Sequence, residues 1–139
     1  MKALQFEQAV ENVLKRDKRY DALAYLFLKE ALDFTLKRAS EANGGEPRHV
    51  SGVELCHGFR DLAIQEFGPM ASTLMREWGL RESGDIGEMV FHLIEEQMFG
   101  KQDSDTKEDF ANAFDFDDSF ILPFQPKRRK EDRQASLSN

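Results

Sequence analysis

Phe6, Val10, Val13 and Leu14 recur at offsets of 4, 7 and 8 residues, the separations that bring side chains to one face of an α-helix. Lys15, Arg16, Lys18 and Arg19 follow and suit the negative end of that helix's dipole. Ala24, Leu28, Ala31, Leu32 and Thr35, widened by Tyr25, Phe27 and Leu36, predict a second and longer helix. Gly44–Gly45 stops it, and Pro47 keeps the connection extended. Ser51-Gly-Val-Glu54 has the form of a capping box, so a third helix begins there. Its inward face is Leu55, Phe59, Leu62 and Ala63, closed by Phe67 before Gly68–Pro69 breaks the pattern.

Proline is favoured at a first helical position, so Pro69 starts a short helix with Met70, Leu74 and Trp78 as its apolar ridge and Gly79 as its end. Ser83 or Asp85 caps the next helix, which runs through "IGEMVFHLIEEQMFG" and ends at Gly100. There Ile86, Val90, Leu93 and Ile94 are expected to face the core, and Glu88, His92, Glu95 and Glu96 the solvent. Asp105-Thr-Lys-Glu108 is a second capping box, opening a short helix over Phe110 and Phe114. No strand-like alternation bounded by turns occurs, and no repeat at solenoid periods. The expected fold is all-α: one compact bundle of five to six helices over residues 1–124, with an acidic, Phe-rich C-terminal arm. Residues 125–139 lack an apolar pattern and are expected to form a disordered basic tail.

The arm changes this picture most. From Asp103 to Asp118 there are seven acidic residues and one lysine. The five phenylalanines of "DFANAFDFDDSFILPF" are too many to leave in water, at roughly 2 kcal/mol for each buried side chain. They either wrap the helices or dock on a partner. Net charge is −7, and removing the +3 of residues 127–139 leaves −10 on residues 1–126. Such a body opposes broad contact with a phosphate backbone, so nucleic acid is disfavoured as a partner. No run approaches the roughly 18 apolar residues of a membrane span, and the N-terminal stretch is amphipathic, unlike a signal peptide. One cysteine forms no internal disulfide and matches no zinc spacing, which fits a reduced, cytoplasmic setting. At 139 residues the chain can bury a core without metal or disulfide support.

Cys56 and His57 stand side by side, but adjacent helical residues project about 100° apart and do not share a ligand readily. Cys56 belongs with the Leu55–Phe59 face, whereas His57 falls on the polar side within reach of Asp61. Arg48 and His49 immediately precede a helix N-terminus, where backbone amides already favour an anion. Arg48, His49, His57 and Asp61 are therefore the candidate ligand-binding residues. Glu88, His92, Glu95 and Glu96 lack the Glu-x-x-His spacing of a carboxylate-bridged metal pair. "DSDTKED" lacks the glycine and terminal glutamate of a calcium loop. No phosphate loop, nucleophile elbow or zinc helix is present, so no catalytic residue, cofactor or metal is expected.

"DKRYDALAYLFLKEAL", "RHVSGVEL", "FGPMASTLMREWG", "DIGEMVFHLIE" and "DSDTKEDFANAFDFDDSF" together resemble a conserved bacterial protein family restricted to Planctomycetes and Verrucomicrobia. The resemblance spans roughly residues 3–124. It implies a small bacterial cytosolic protein of one domain, and carries no activity, cofactor or catalytic residue. The expected function is a non-enzymatic module that binds or regulates a protein partner. The alternatives are a small anionic ligand or enzyme site near Arg48, His49 and His57, and helix-turn-helix DNA binding through Arg76 and Arg81.

Overall fold

Asp21 and Ser51 set where the two longest helices begin. The computed structural model describes residues 3–99 and 107–126. The elements run α1 (Ala3–Arg16), α2 (Ala22–Ala42), α3 (Gly52–Phe67), a 3-10 turn (Gly68–Met70), α4 (Ala71–Glu77), α5 (Ser83–Glu95) and α6 (Lys107–Ala111). A π turn (Asp117–Ile121) and a second 3-10 turn (Leu122–Phe124) complete the arm. Among the described residues there is no strand, and no helix is long and apolar enough to cross a membrane. The Asp21 carboxylate accepts from Leu23 N to open α2. Ser51 and Glu54 make the reciprocal bonds of a capping box to open α3, and so satisfy amides that would otherwise lack partners. The expected breaks at Gly44–Gly45 and Gly68–Pro69 are present.

The core lies where α2 and α3 pack against each other, with α1 and α5 behind them. Their approach is close: a Cβ at Gly58 would fall on the Thr35 hydroxyl. Thr35 is buried because its Oγ1 donates to Ala31 O at 2.6 Å, which spares it an unpaired polar atom. Phe27 joins Phe59, Phe67 and Trp78 in one aromatic cluster, with ring centroids 4.9–5.6 Å from its own.

Two helices depart from expectation. In α4 the buried positions are Ala71 and Met75 with Trp78, while Met70 is exposed. The 3-10 turn at Gly68–Met70 advances three residues per turn rather than 3.6, which carries Met70 out of the apolar stripe, while Leu74 still packs half-buried against the core. In α5 the N-cap is Glu82, paired reciprocally with Asp85, and Ser83 is a buried helical residue whose hydroxyl donates to Phe110 O. That helix ends at Glu95, well short of Gly100, because Gln97 takes a left-handed φ of 63°. Met98 N then closes on Leu93 O at 2.8 Å.

The arm packs on its own chain. Phe110 is 0 % exposed and lies over Gly52 and Gly87, where a Cβ would meet its ring or its own Cβ at 2.5 Å. Phe114, Phe116 and Phe120 form a second aromatic group, with centroids 5.1–5.7 Å apart. The Phe116–Phe120 stretch rests on α4 and the first 3-10 turn. The second capping box at Asp105, Gly100, the calcium-like stretch before Lys107 and the basic tail from residue 127 lie outside the described residues.

Candidate functional site

Arg48 and His57 line one open cleft of about 290 Å³ between the C-terminal half of α2 and the start of α3, together with Arg38 and Glu54. Its cations are already matched. Arg48 donates to both carboxylate oxygens of Glu54, at 3.2 and 2.7 Å, and to His49 O at 2.9 Å. The Arg48 guanidinium and the Ser51 amide hold the Glu54 carboxyl down at about 2. Arg38 reaches Asp61 at 2.7 Å, and Arg60 joins the same carboxylate at 2.9 Å. Burial raises the Asp61 carboxyl, but the two guanidiniums outweigh it and leave it below its ordinary range. An anion entering here would compete with two carboxylates already in place.

The remaining candidates do not converge. His49 is exposed and takes no part in lining the cleft. His57 Nε2 donates to Ala113 O at 3.0 Å and so anchors the arm to α3, while Asp61, within its reach along the helix, is taken by Arg38 and Arg60. Cys56 is fully buried, and burial pushes its thiol up to about 12. A thiol in that state is no nucleophile at neutral pH. The Cys56–His57 adjacency thus divides between core packing and an inter-element hydrogen bond.

The main polar network in the protein sits elsewhere and was not apparent from periodicity. His92 was expected to face solvent, yet it is only 8 % exposed. Its Nε2 lies 3.3 Å from Asp17 Oδ2, and its Nδ1 lies 2.9 Å from the Tyr25 hydroxyl. A neutral imidazole protonated at Nε2 donates to Asp17 and accepts from Tyr25, leaving no ring nitrogen unpaired. The Arg19 guanidinium grips Asp17 at 2.7 Å and holds its carboxyl down at about 2. The neighbouring Tyr20 hydroxyl donates to Asp85 Oδ1 at 2.6 Å, while Asp85 Oδ2 accepts from Arg81 N and Glu82 N. These bonds tie the α1–α2 connection to α5. The sequence signal was that both tyrosines of the chain flank the start of α2, since a buried Tyr hydroxyl requires a partner.

Glu95 and Glu96 bond Arg16 at 3.1 and 2.7 Å, and Glu88 lies 3.5 Å from both Arg19 and Lys107. No group of metal-ligating side chains forms among the described residues.

Burial sets a pH dependence at His92. Desolvation lowers its pKa from the ordinary 6.5, against the pull of Asp17 toward the charged form. As pH falls through 6.5 the unfolded chain takes up a proton before the native state does, and stability declines. The expected result is a urea midpoint that drops between pH 7 and pH 5, with a shallower drop in His92→Gln. Parallel curves for the two proteins would remove His92 as the cause.

Another cleft, of about 240 Å³, opens between α4 and the arm. Met75, Leu80 and Phe120, all buried, form its floor, and the exposed Arg76 and Arg81 stand at its rim with Asp117. It could not be read locally, because its walls lie some forty residues apart in the chain. No family model, curated protein or solved structure matches the chain.

Proposed function

We propose that this protein is a non-enzymatic module that binds another protein and does so along the seam between the first 3-10 turn, α4 and the arm. The observation that carries the reading is the placement of exposed apolar side chains. Met70 is 58 % exposed and Leu122 51 % exposed. Single exposed apolar residues are ordinary. Met70 and Leu122, unlike the exposed Leu23 and Leu26 that lie on one helix, belong to the paired sides of one seam: Met70 ends the turn that packs on the π turn, and Leu122 directly follows that π turn. The perturbed ionisable groups Asp17, Tyr20 and Tyr25 are used to join helices. That supports a structural role for them in place of a chemical one.

A cytoplasmic setting belongs to this reading, since the sole thiol is buried and reduced as Cys56. So does membership of the bacterial family that the motifs resemble. An anion site at Arg48 is disfavoured by the Glu54 carboxylate already on its guanidinium. A DNA-reading helix is disfavoured by the length of α4, seven residues, and by the acidity of the chain.

The test is site-specific photo-crosslinking in the source cells, with benzoylphenylalanine at position 122 and, as control, at the exposed Lys37 of α2. A discrete protein adduct from position 122, absent from position 37, is the expected outcome. Adducts from neither position would end the proposal.

A further inference from the structure

Seven arginines lie among the described residues, and five of them are held by carboxylates. Arg16 is paired with Glu95 and Glu96, Arg19 with Asp17, Arg38 and Arg60 with Asp61, and Arg48 with Glu54. Arg76 and Arg81 have no carboxylate partner among the described residues, and both line the cleft between α4 and the arm. Asp117 lines the same cleft and forms no ion pair with either. The chain carries a net charge of −7, and the two guanidiniums without a carboxylate partner among its described residues are gathered at one place. A guanidinium presents a rigid fork of donors matched to a carboxylate.

The space between them selects the kind of occupant. The floor of Met75, Leu80 and Phe120 is apolar, and Phe116 and Ile121 flank it. Its volume of about 240 Å³ is smaller than the roughly 300–1,000 Å³ of a site that encloses a whole small molecule. One apolar side chain projecting from a longer chain suits it better. The protein already shows how such a chain is accommodated there. Its own arm seats the π turn, with buried Phe120, against α4 while Asp115, Asp117 and Asp118 stay at the surface.

Taking the protein-binding reading as its premise, we infer that this cleft is the docking site for a short acidic segment of the partner, with one aromatic or aliphatic side chain on the Met75–Leu80–Phe120 floor and flanking carboxylates on Arg76 and Arg81. Met70, ending the turn before α4, and Leu122, directly after the π turn, are also exposed on the elements that form the cleft's walls. The rest of the body repels an acidic ligand, but at physiological salt that repulsion is screened beyond about 8 Å. The two arginines therefore govern the encounter at contact distance.

The test uses the full chain and three fluorescein-labelled octapeptides. One has a central phenylalanine flanked by aspartates, the second has asparagines in place of the aspartates, and the third has alanine in place of the phenylalanine. Fluorescence anisotropy should show the first binding at least tenfold more tightly than the other two, and more weakly as salt rises from 50 to 300 mM. The double variant Arg76→Glu/Arg81→Glu should lose at least tenfold for the first peptide and gain affinity for a lysine-flanked version. Both side chains are exposed, and an unchanged thermal melt confirms that the variant is folded. Lys37→Glu, on another face, should bind as the parent does. Equal binding of aspartate and asparagine peptides, no binding of any peptide, or no effect of the double variant would overturn the site. A concentration-dependent dimer in sedimentation velocity, abolished by the double variant, would make the occupant a second copy and overturn the partner assignment. If position 122 still crosslinks the same protein in the double variant, the cleft inference fails while protein binding stands.

Discussion

Phe110→Ala is expected to destabilise the protein by about 4 kcal/mol, as large-to-small changes of a fully buried aromatic residue do. The magnitude follows from what surrounds the ring. It covers Gly52 at the start of α3 and Gly87 in α5, and makes an edge contact with Phe91 at 5.9 Å between centroids. Glycine at both positions means that neither of these two neighbours has a side chain to fill the void. Loss of the ring therefore removes apolar burial and leaves a cavity between three elements. Against a total stability of roughly 5–15 kcal/mol, this is a large share. Urea unfolding at pH 7 measures it. Phe110→Leu, which keeps most of the volume, should recover more than half of the loss. A loss below about 1 kcal/mol for the alanine variant would show that the arm contributes little to holding the helices together.

Gly79→Ala is the second large effect, about 3 kcal/mol, and it arises from addition where Phe110→Ala arises from removal. Gly79 has a φ of +89°, in the left-handed region that disfavours a Cβ by about 1–2 kcal/mol. A Cβ there would also fall on the backbone carbonyl oxygen of Arg19. Overpacking against a well-held group typically costs about 1–3 kcal/mol more. The carbonyl cannot retreat freely, because Asp21 N is bonded to Trp78 O at 3.1 Å and Tyr20 is bonded to Asp85. Gly44→Ala separates the two terms. Its φ is +69°, and a Cβ there meets nothing within 4 Å, so only the backbone cost of about 1–2 kcal/mol remains. Equal losses for the two variants in urea unfolding would show that the Arg19 carbonyl yields without cost.

The contrast between these positions explains what could be read along the chain and what could not. The Ser51–Glu54 box, the Gly44–Gly45 stop and the Gly68–Pro69 break all act within a few residues, and all appear where the spacing predicts. Of the expected α4 ridge, Trp78 is buried and Leu74 packs half-buried on the core, whereas Met70 is exposed because it belongs to the 3-10 turn before the helix begins. His92 was assigned to solvent by its chemistry, yet Tyr25, 67 residues away, and Asp17 supply the bonds that make its burial tolerable. His57 had a local candidate in Asp61, but the arm returns Ala113 O to it from 56 residues onward. Arg48 was legible as a cation beside a helix start. Its capture by Glu54, the same residue that completes the cap, required the folded geometry. The Arg76–Arg81 cleft has walls from α4 and the arm, so neither strand of sequence describes it alone.

The burial of Cys56 has a practical consequence. The chain carries one thiol, and it sits inside α3 against the core with its ionisation suppressed. A thiol reagent cannot reach it until α3 separates from its neighbours, so labelling proceeds only through open forms. With opening and closing fast relative to the reagent, that rate divided by the rate for unfolded chain is the equilibrium fraction open. The protein thus carries its own single-site clock for breathing of the bundle, at natural sequence and without denaturant.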